Sequence, residues 1–147
     1  MSAWSVDNPV FNSYIFWSAV LAAKVLIMGP ITGYYRISRK PIRTTWRTSR
    51  SSDLSLTHTE PRLTPPSPYR AHQNDLENIP VFWVAGLLYV LTNPAPFTAY
   101  LLFRAFSAAR ILHTLLYLGG SPFRGMAFFL GTLVNFFIVG NVLYSFY

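Results

Sequence analysis

Arg70, Asn74 and Glu77 stand at i, i+4 and i+7 in the stretch RAHQNDLENI, residues 70–79, with Gln73 beside them. A loop needs no such register, whereas a helix puts the three on one face. A second set, Arg110, His113 and Tyr117, recurs at i, i+3 and i+7 in ARILHTLLYL, a segment that is otherwise apolar. Two such faces can meet across a groove, and their guanidinium, carboxylate, carboxamide, imidazole and phenol groups suit a small molecule carrying carboxylates, amides and an amine. They also suit a structural role: buried charge is costly unless paired, and Asp75 and Glu77 stand ready to neutralise Arg110 and Arg70. What favours a ligand is a surplus of positive charge, since Arg36, Arg70, Arg110 and Arg124 face only those two carboxylates.

The chain has no cysteine, which excludes disulfides, thiolate metal sites and a cysteine nucleophile. Any thiol chemistry must therefore use the thiol of a ligand. Glutathione combines the carboxylates, amine and amides that the polar faces ask for with the thiol that the chain lacks. No metal is expected: His58, His72 and His113 are far apart in sequence, and there is no Gly-rich phosphate loop or internal repeat.

The elements that must hold these groups are apolar. Of the 147 residues 52% are hydrophobic and 17% aromatic, and four stretches approach bilayer length, at about 10–35, 72–92, 97–119 and 126–147. The expected fold is one all-α integral membrane domain over 1–147, a four-helix bundle. TNPAPF and GGSPFR are short, Pro- and Gly-bearing connections that force the last three helices to run antiparallel. Trp4, Trp17, Trp46 and Trp83 lie in or near the ends of the apolar runs, where interfacial rings are expected.

The first run reads as a retained helix, because it is too long for a signal h-region and no basic segment precedes it. Asp7 and the lack of arginine in the first twenty residues speak against a mitochondrial presequence. Lys24, at the heart of that run, must face a partner or a wet cavity, since even low estimates charge about 2.5–3.5 kcal/mol for lysine at a helix centre. Asn135 and Asn141 are expected to hydrogen-bond neighbouring helices.

The connection over 36–70 holds eight of the twelve basic residues against only Asp53 and Glu60. By the positive-inside rule it is cytosolic, as is the connection before Arg124, which puts both termini and the 93–96 turn on the opposite side. Its Ser, Thr and Pro content predicts poor order. Charge beside a membrane reads as topology and contact with anionic membrane lipids, and no nucleic acid is expected.

RAHQNDLENI, ARILHTLLYL and RGMAFF together resemble the membrane-associated proteins in eicosanoid and glutathione metabolism, over about residues 70–132, with a weaker echo in ITGYYRISRK at 31–40. Arg-Ala-His, one residue, then Asn-Asp-x-Glu-Asn at a helix start, upstream of Arg-x-x-His-Thr-x-x-Tyr, is a specific combination. The resemblance implies a homotrimer of four-helix bundles that binds glutathione in a U-shape between subunits near the cytosolic face. By motif, Arg36, Arg70, Asn74, Glu77, His113, Tyr117 and Arg124 match the glutathione-binding set, and Arg124 matches the catalytic residue beside the sulfur. Gln73 belongs with them, at a position that is arginine in the prostaglandin synthases of the family. Asp75 and Arg110 are left to structural ion pairing, and Asp53 is a candidate for an aspartate implicated in the synthases.

Gly125 and Phe128 stand where the synthases carry serine and tyrosine, so the likeness is to the microsomal glutathione transferases. That branch implies Arg124 beside the thiol, whose free pKa is about 8.5, stabilising the thiolate for attack on a hydrophobic electrophile or a lipid hydroperoxide. Phe128, Phe129 and Leu133 are candidates for the acceptor region. The expected membrane is the endoplasmic reticulum, with the mitochondrial outer membrane as the other option. Two alternatives stand beside the transferase: a glutathione-dependent prostaglandin E synthase, and a non-catalytic member that binds a lipid or a partner protein.

Overall fold

The computed structural model describes residue 5 and residues 7–38 and 68–147, apart from the Arg36 side chain. Asp53 and the rest of the connection over 39–67 lie outside the described residues, as do Trp4, Trp46 and His58. Among the described residues four helices follow one another: α1 (Pro9–Ser38), α2 (Pro68–Leu91), α3 (Pro96–Leu118) and α4 (Arg124–Phe146). Prolines open α1, α2 and α3, at the one helical position where a missing N–H costs nothing. Both neighbours of the basic connection therefore extend further than expected: α1 runs past residue 35 to Ser38 and takes in Arg36, and α2 opens ahead of residue 72 and takes in Arg70.

Three of the four helices, α1, α3 and α4, are long and apolar enough to cross a membrane. The fourth, α2, is 24 residues long, but Arg70, Asp75 and Glu77 with the neighbouring amides lower the hydropathy of its first half. Among the described residues α2 and α3 form the short diagonal of the bundle, with α1 and α4 on either side and not touching each other. Asn8, Pro9 and Val10 line a cleft together with Asn93, Pro94, Ala95 and Pro96, so α1 starts beside the turn between α2 and α3. Hence α1 is antiparallel to α2 and runs with α3.

The turns are built for tight reversal. Asn93 has φ 52 and Gly120 φ 68, left-handed conformations that asparagine tolerates and glycine adopts freely. Backbone N–H groups of Gly120 and Ser121 close the end of α3 on Tyr117 O at 3.1 Å and Leu116 O at 2.9 Å, which turns the chain into α4 and fixes where Arg124 emerges.

The core under the α1 start is aromatic. Phe82 and Phe106 stack at 4.3 Å between centroids, and Tyr14 meets Phe103 edge-on at 5.7 Å while donating from its hydroxyl to Trp83 O at 2.7 Å. Large apolar side chains such as Leu26, Ile27, Phe97, Leu115, Phe136 and Leu143 point outward, a surface that suits hydrocarbon rather than water. Tyr14 reaches its place because Gly86 has no side chain, and a Cβ there would lie 2.9 Å from the Tyr14 ring. Gly86→Ala is expected to cost about 1–3 kcal/mol, read as a lower thermal midpoint in detergent; an unchanged midpoint would show that the α1–α2 contact can open at no cost.

Candidate functional site

At the end of the bundle where α1 and α3 finish and α2 and α4 begin, the two polar faces do meet, but only in part. In α2 each residue turns the helix by about 100°, so Asn74 and Asp75 come round toward the interior while Arg70, Gln73 and Glu77 stay exposed. Asp75 is 0% exposed and accepts from Arg110 at 2.9 Å on one oxygen, and on the other from the Lys24 ammonium and from Thr114 Oγ1, the latter at 3.3 Å. Arg110 Nη2 donates also to Asn74 Oδ1. Lys24 has its partner, and the partner is Asp75.

This corrects the expected pairing of charges. Asp75 does neutralise Arg110, but it is shared with Lys24, and among the described residues Glu77 makes no ion pair with Arg70. Glu77 instead accepts from Gln73 Nε2 at 3.5 Å, one turn away on the same exposed face. The cluster thus holds two cations against one carboxylate, and Arg110 keeps Nε and Nη1 buried with no hydrogen-bond partner among the described residues. Room for the Arg110 stem comes from Gly131 of α4, where a Cβ would lie 3.3 Å from Arg110 Cδ.

The second face continues along α3 as a separate group. His113 is buried, its Nδ1 without a partner among the described residues, and its ring stands 5.9 Å from Tyr117 and 6.0 Å from Phe128. Tyr117 in turn carries the Arg124 guanidinium over its ring at 5.1 Å, within the range of a cation–π contact. Arg124 is exposed, at the first residue of α4, where the turn through Gly120 delivers it. The structure therefore brings Asn74, Asp75 and Arg110 together, and His113, Tyr117 and Arg124 together. Arg70, Gln73 and Glu77 form a third, outward group, and the Arg36 side chain lies outside the described residues.

Several contributors carry little signal in the sequence. Thr114 is legible only as the residue one turn beyond Arg110. Asn135 donates to Asn78 O at 3.2 Å and so ties α4 to α2 as expected. Asn141 does not reach a neighbouring helix: its Nδ2 folds back to Phe137 O at 2.9 Å in its own helix, because it lies beyond the polar end of the bundle. Of the apolar acceptor candidates, Phe128 is half-buried against His113, while Phe129 and Leu133 are exposed on α4. Among the described residues no group of three or more His, Asp or Glu side chains is placed to hold a metal ion.

The sequence profile described as MAPEG family matches residues 14–144, nearly the whole of this chain. The chain belongs to the MAPEG family. Among curated MAPEG proteins it is 36% identical over 132 residues to microsomal glutathione S-transferase 1 of Homo sapiens and 38% identical to that of Sus scrofa, covering 86% of this chain and 84% of the relative in each case. Prostaglandin E synthase of Bos taurus is 31% identical over 130 residues, covering 87% of this chain and 84% of the relative. The family resemblance seen in the motifs is thus shown across nearly the full MAPEG chain.

Removing Asp75 leaves the buried Arg110 and the half-buried Lys24 without a carboxylate in this MAPEG bundle, so Asp75→Ala is expected to cost about 3–5 kcal/mol, while Lys24→Met, which leaves Asp75 with Arg110, costs less. Thermal unfolding of the two variants in detergent checks the order; equal losses would mean that Asp75 is not the shared centre.

Proposed function

We propose that this protein is a membrane-embedded glutathione transferase, and that Arg124 holds the sulfur of bound glutathione as its thiolate. The observation that carries the reading is the placement of Arg124 over Tyr117, beside His113 and Phe128, at the polar end of the bundle. A permanent cation there lowers a thiol pKa without giving up a proton of its own. The microsomal glutathione S-transferase 1 relatives, at 36% and 38% identity, support the same choice.

In this reading α2 crosses the bilayer with the other three helices, since the turn at its end lies beside the start of α1, on the side opposite to the one from which α2 set out. The cationic end, with Arg36, Arg70 and Arg124, faces the cytosol, and the membrane is the endoplasmic reticulum. Arg70, Gln73 and Glu77 point out of the single chain, which suits a glutathione molecule bound between subunits of a homotrimer. Glu77 takes its amine, Arg36 and Arg70 its carboxylates, and Asn74 and Gln73 its amides.

The thiol proton leaves to water, and the thiolate attacks an electrophile dissolved in the bilayer. On an aryl halide a carbon–sulfur bond forms and halide departs. On a lipid hydroperoxide the O–O bond breaks, leaving an alcohol and a sulfenic acid that a second glutathione converts to the disulfide and water. The prostaglandin E synthase relatives support a second reading, isomerisation of an endoperoxide with glutathione regenerated. Gly125 and Phe128 in place of serine and tyrosine argue for the transferase.

Turnover of an aryl halide separates the roles. Arg124→Ala is expected to lose about 10²–10³-fold in kcat, the loss typical of one charge-stabilising donor, with glutathione affinity nearly unchanged. Glu77→Ala is expected to bind glutathione about tenfold more weakly, as for a lost charged hydrogen bond. Equal turnover in Arg124→Ala and the parent would remove the mechanism.

A further inference from the structure

The membrane-spanning helix α3 carries a second arginine that the site does not use. Arg104 is exposed, on the same side of α3 as the exposed Phe97, Leu101 and Ala108, at i−7, i−3 and i+4. Arg110, six residues on, lies about a third of a turn away on another side and is fully buried against Asp75. Among the described residues the ion pairs are Lys24–Asp75 and Arg110–Asp75, and Arg104 belongs to neither.

Nor does any carboxylate among the described residues pair with it. The carboxylates among the described residues are Asp7, Asp75 and Glu77. Asp7 accepts from Ser5, Asp75 is shared by Lys24 and Arg110, and Glu77 accepts from Gln73 on α2. None of the three pairs with Arg104, which leaves its guanidinium open to a counter-charge from outside the chain.

Its depth says where. Arg104 lies eight residues from Pro96, about 12 Å along an α3 axis of about 34 Å, against a hydrocarbon thickness of about 30 Å. A charge left there in hydrocarbon is strongly disfavoured, and a long basic side chain escapes by running to the interface. Helical side chains lean toward the N-terminus of their helix. For α3 that is the end at the 93–96 turn, which is also the nearer interface. The stem of Arg104 is thus pre-set to carry its guanidinium toward the headgroups, past Leu101 and the half-buried Tyr100, while a flat five-donor fork matches phosphate oxygens.

We propose that Arg104, with the Phe97–Leu101 face of α3, binds the phosphodiester of a membrane phospholipid in the leaflet on the side of the 93–96 turn. The acyl chains lie along the apolar face and the phosphate is drawn down to the guanidinium. This rests on α3 spanning a bilayer and not on the glutathione reading, so the two can fail separately.

The test uses the full chain in dodecyl maltoside, with dioctanoyl phosphatidylglycerol and dioctanoylglycerol as probes that share acyl chains and differ in the phosphate. Native mass spectrometry counts bound lipid and subunits together. The expected result is retention of phosphatidylglycerol by the parent, about tenfold weaker retention by Arg104→Ala, as for one lost charge-assisted hydrogen bond, and an intermediate value for Arg104→Lys. Diacylglycerol is expected to bind all three alike. Arg104→Gln serves where the alanine variant does not fold. Equal retention of phosphatidylglycerol by parent and variants, or equal retention of the two probes by the parent, would overturn the proposal. So would a change in subunit number in Arg104→Ala with lipid retention unaltered, which would assign Arg104 to a contact with a second copy.

Discussion

Asp75 is the residue on which the polar half of this bundle depends. One carboxylate, fully buried, holds Lys24 of α1 with one oxygen and Arg110 of α3 with the other, so three helices are pinned at a single point. In a low-dielectric interior such a cluster contributes little net stability beyond what apolar residues would give. Its value is register: α1, α2 and α3 cannot slide or rotate without leaving a charge stranded. Everything downstream inherits that register, including the face of α2 that looks outward and the line from Arg110 through His113 and Tyr117 to Arg124.

The same pinning divides the polar residues into those that build and those left free to bind. Asp75, Arg110 and Thr114 are tied to one another, and Asn74 gives its Oδ1 to Arg110. Arg70, Gln73 and Glu77, one helical face away, have no partner on another helix among the described residues, and Arg124 is held only by the face of an aromatic ring. A net positive centre flanked by outward-facing hydrogen-bonding groups is an environment in which an anion gains from every neighbour. In the proposed function, this environment is what would hold the sulfur of bound glutathione as its thiolate.

The sequence made the helices and the register of α2 legible, because an i, i+4, i+7 spacing of polar residues makes sense only on a helix and the connections on either side of α3 are short. The need of Lys24 for a partner was also legible from the cost of burying it. The identity of that partner was not: Asp75 is fifty-one residues away in sequence, and no local pattern joins a lysine in one apolar run to an aspartate in another. For the same reason the structural reading offers Asp75 and Glu77 alike as neutralisers of Arg110 and Arg70, whereas among the described residues both ion pairs run between helices and Glu77 joins neither. The role of Gly131 was hidden because a glycine in an apolar helix looks alike whether it lines lipid or makes room for an arginine stem. Asn141 misled because an asparagine can satisfy itself on its own helix.

In the proposed function the cationic end of the bundle binds glutathione and shifts it to the thiolate. Ultraviolet difference absorbance of the detergent-purified protein mixed with glutathione at neutral pH reads this directly. A thiolate band at a pH where free glutathione, with a thiol pKa near 8.5, shows little of it is the predicted result. Glutathione binding without that band would rule out thiol activation by Arg124 and leave the polar end a binding surface alone.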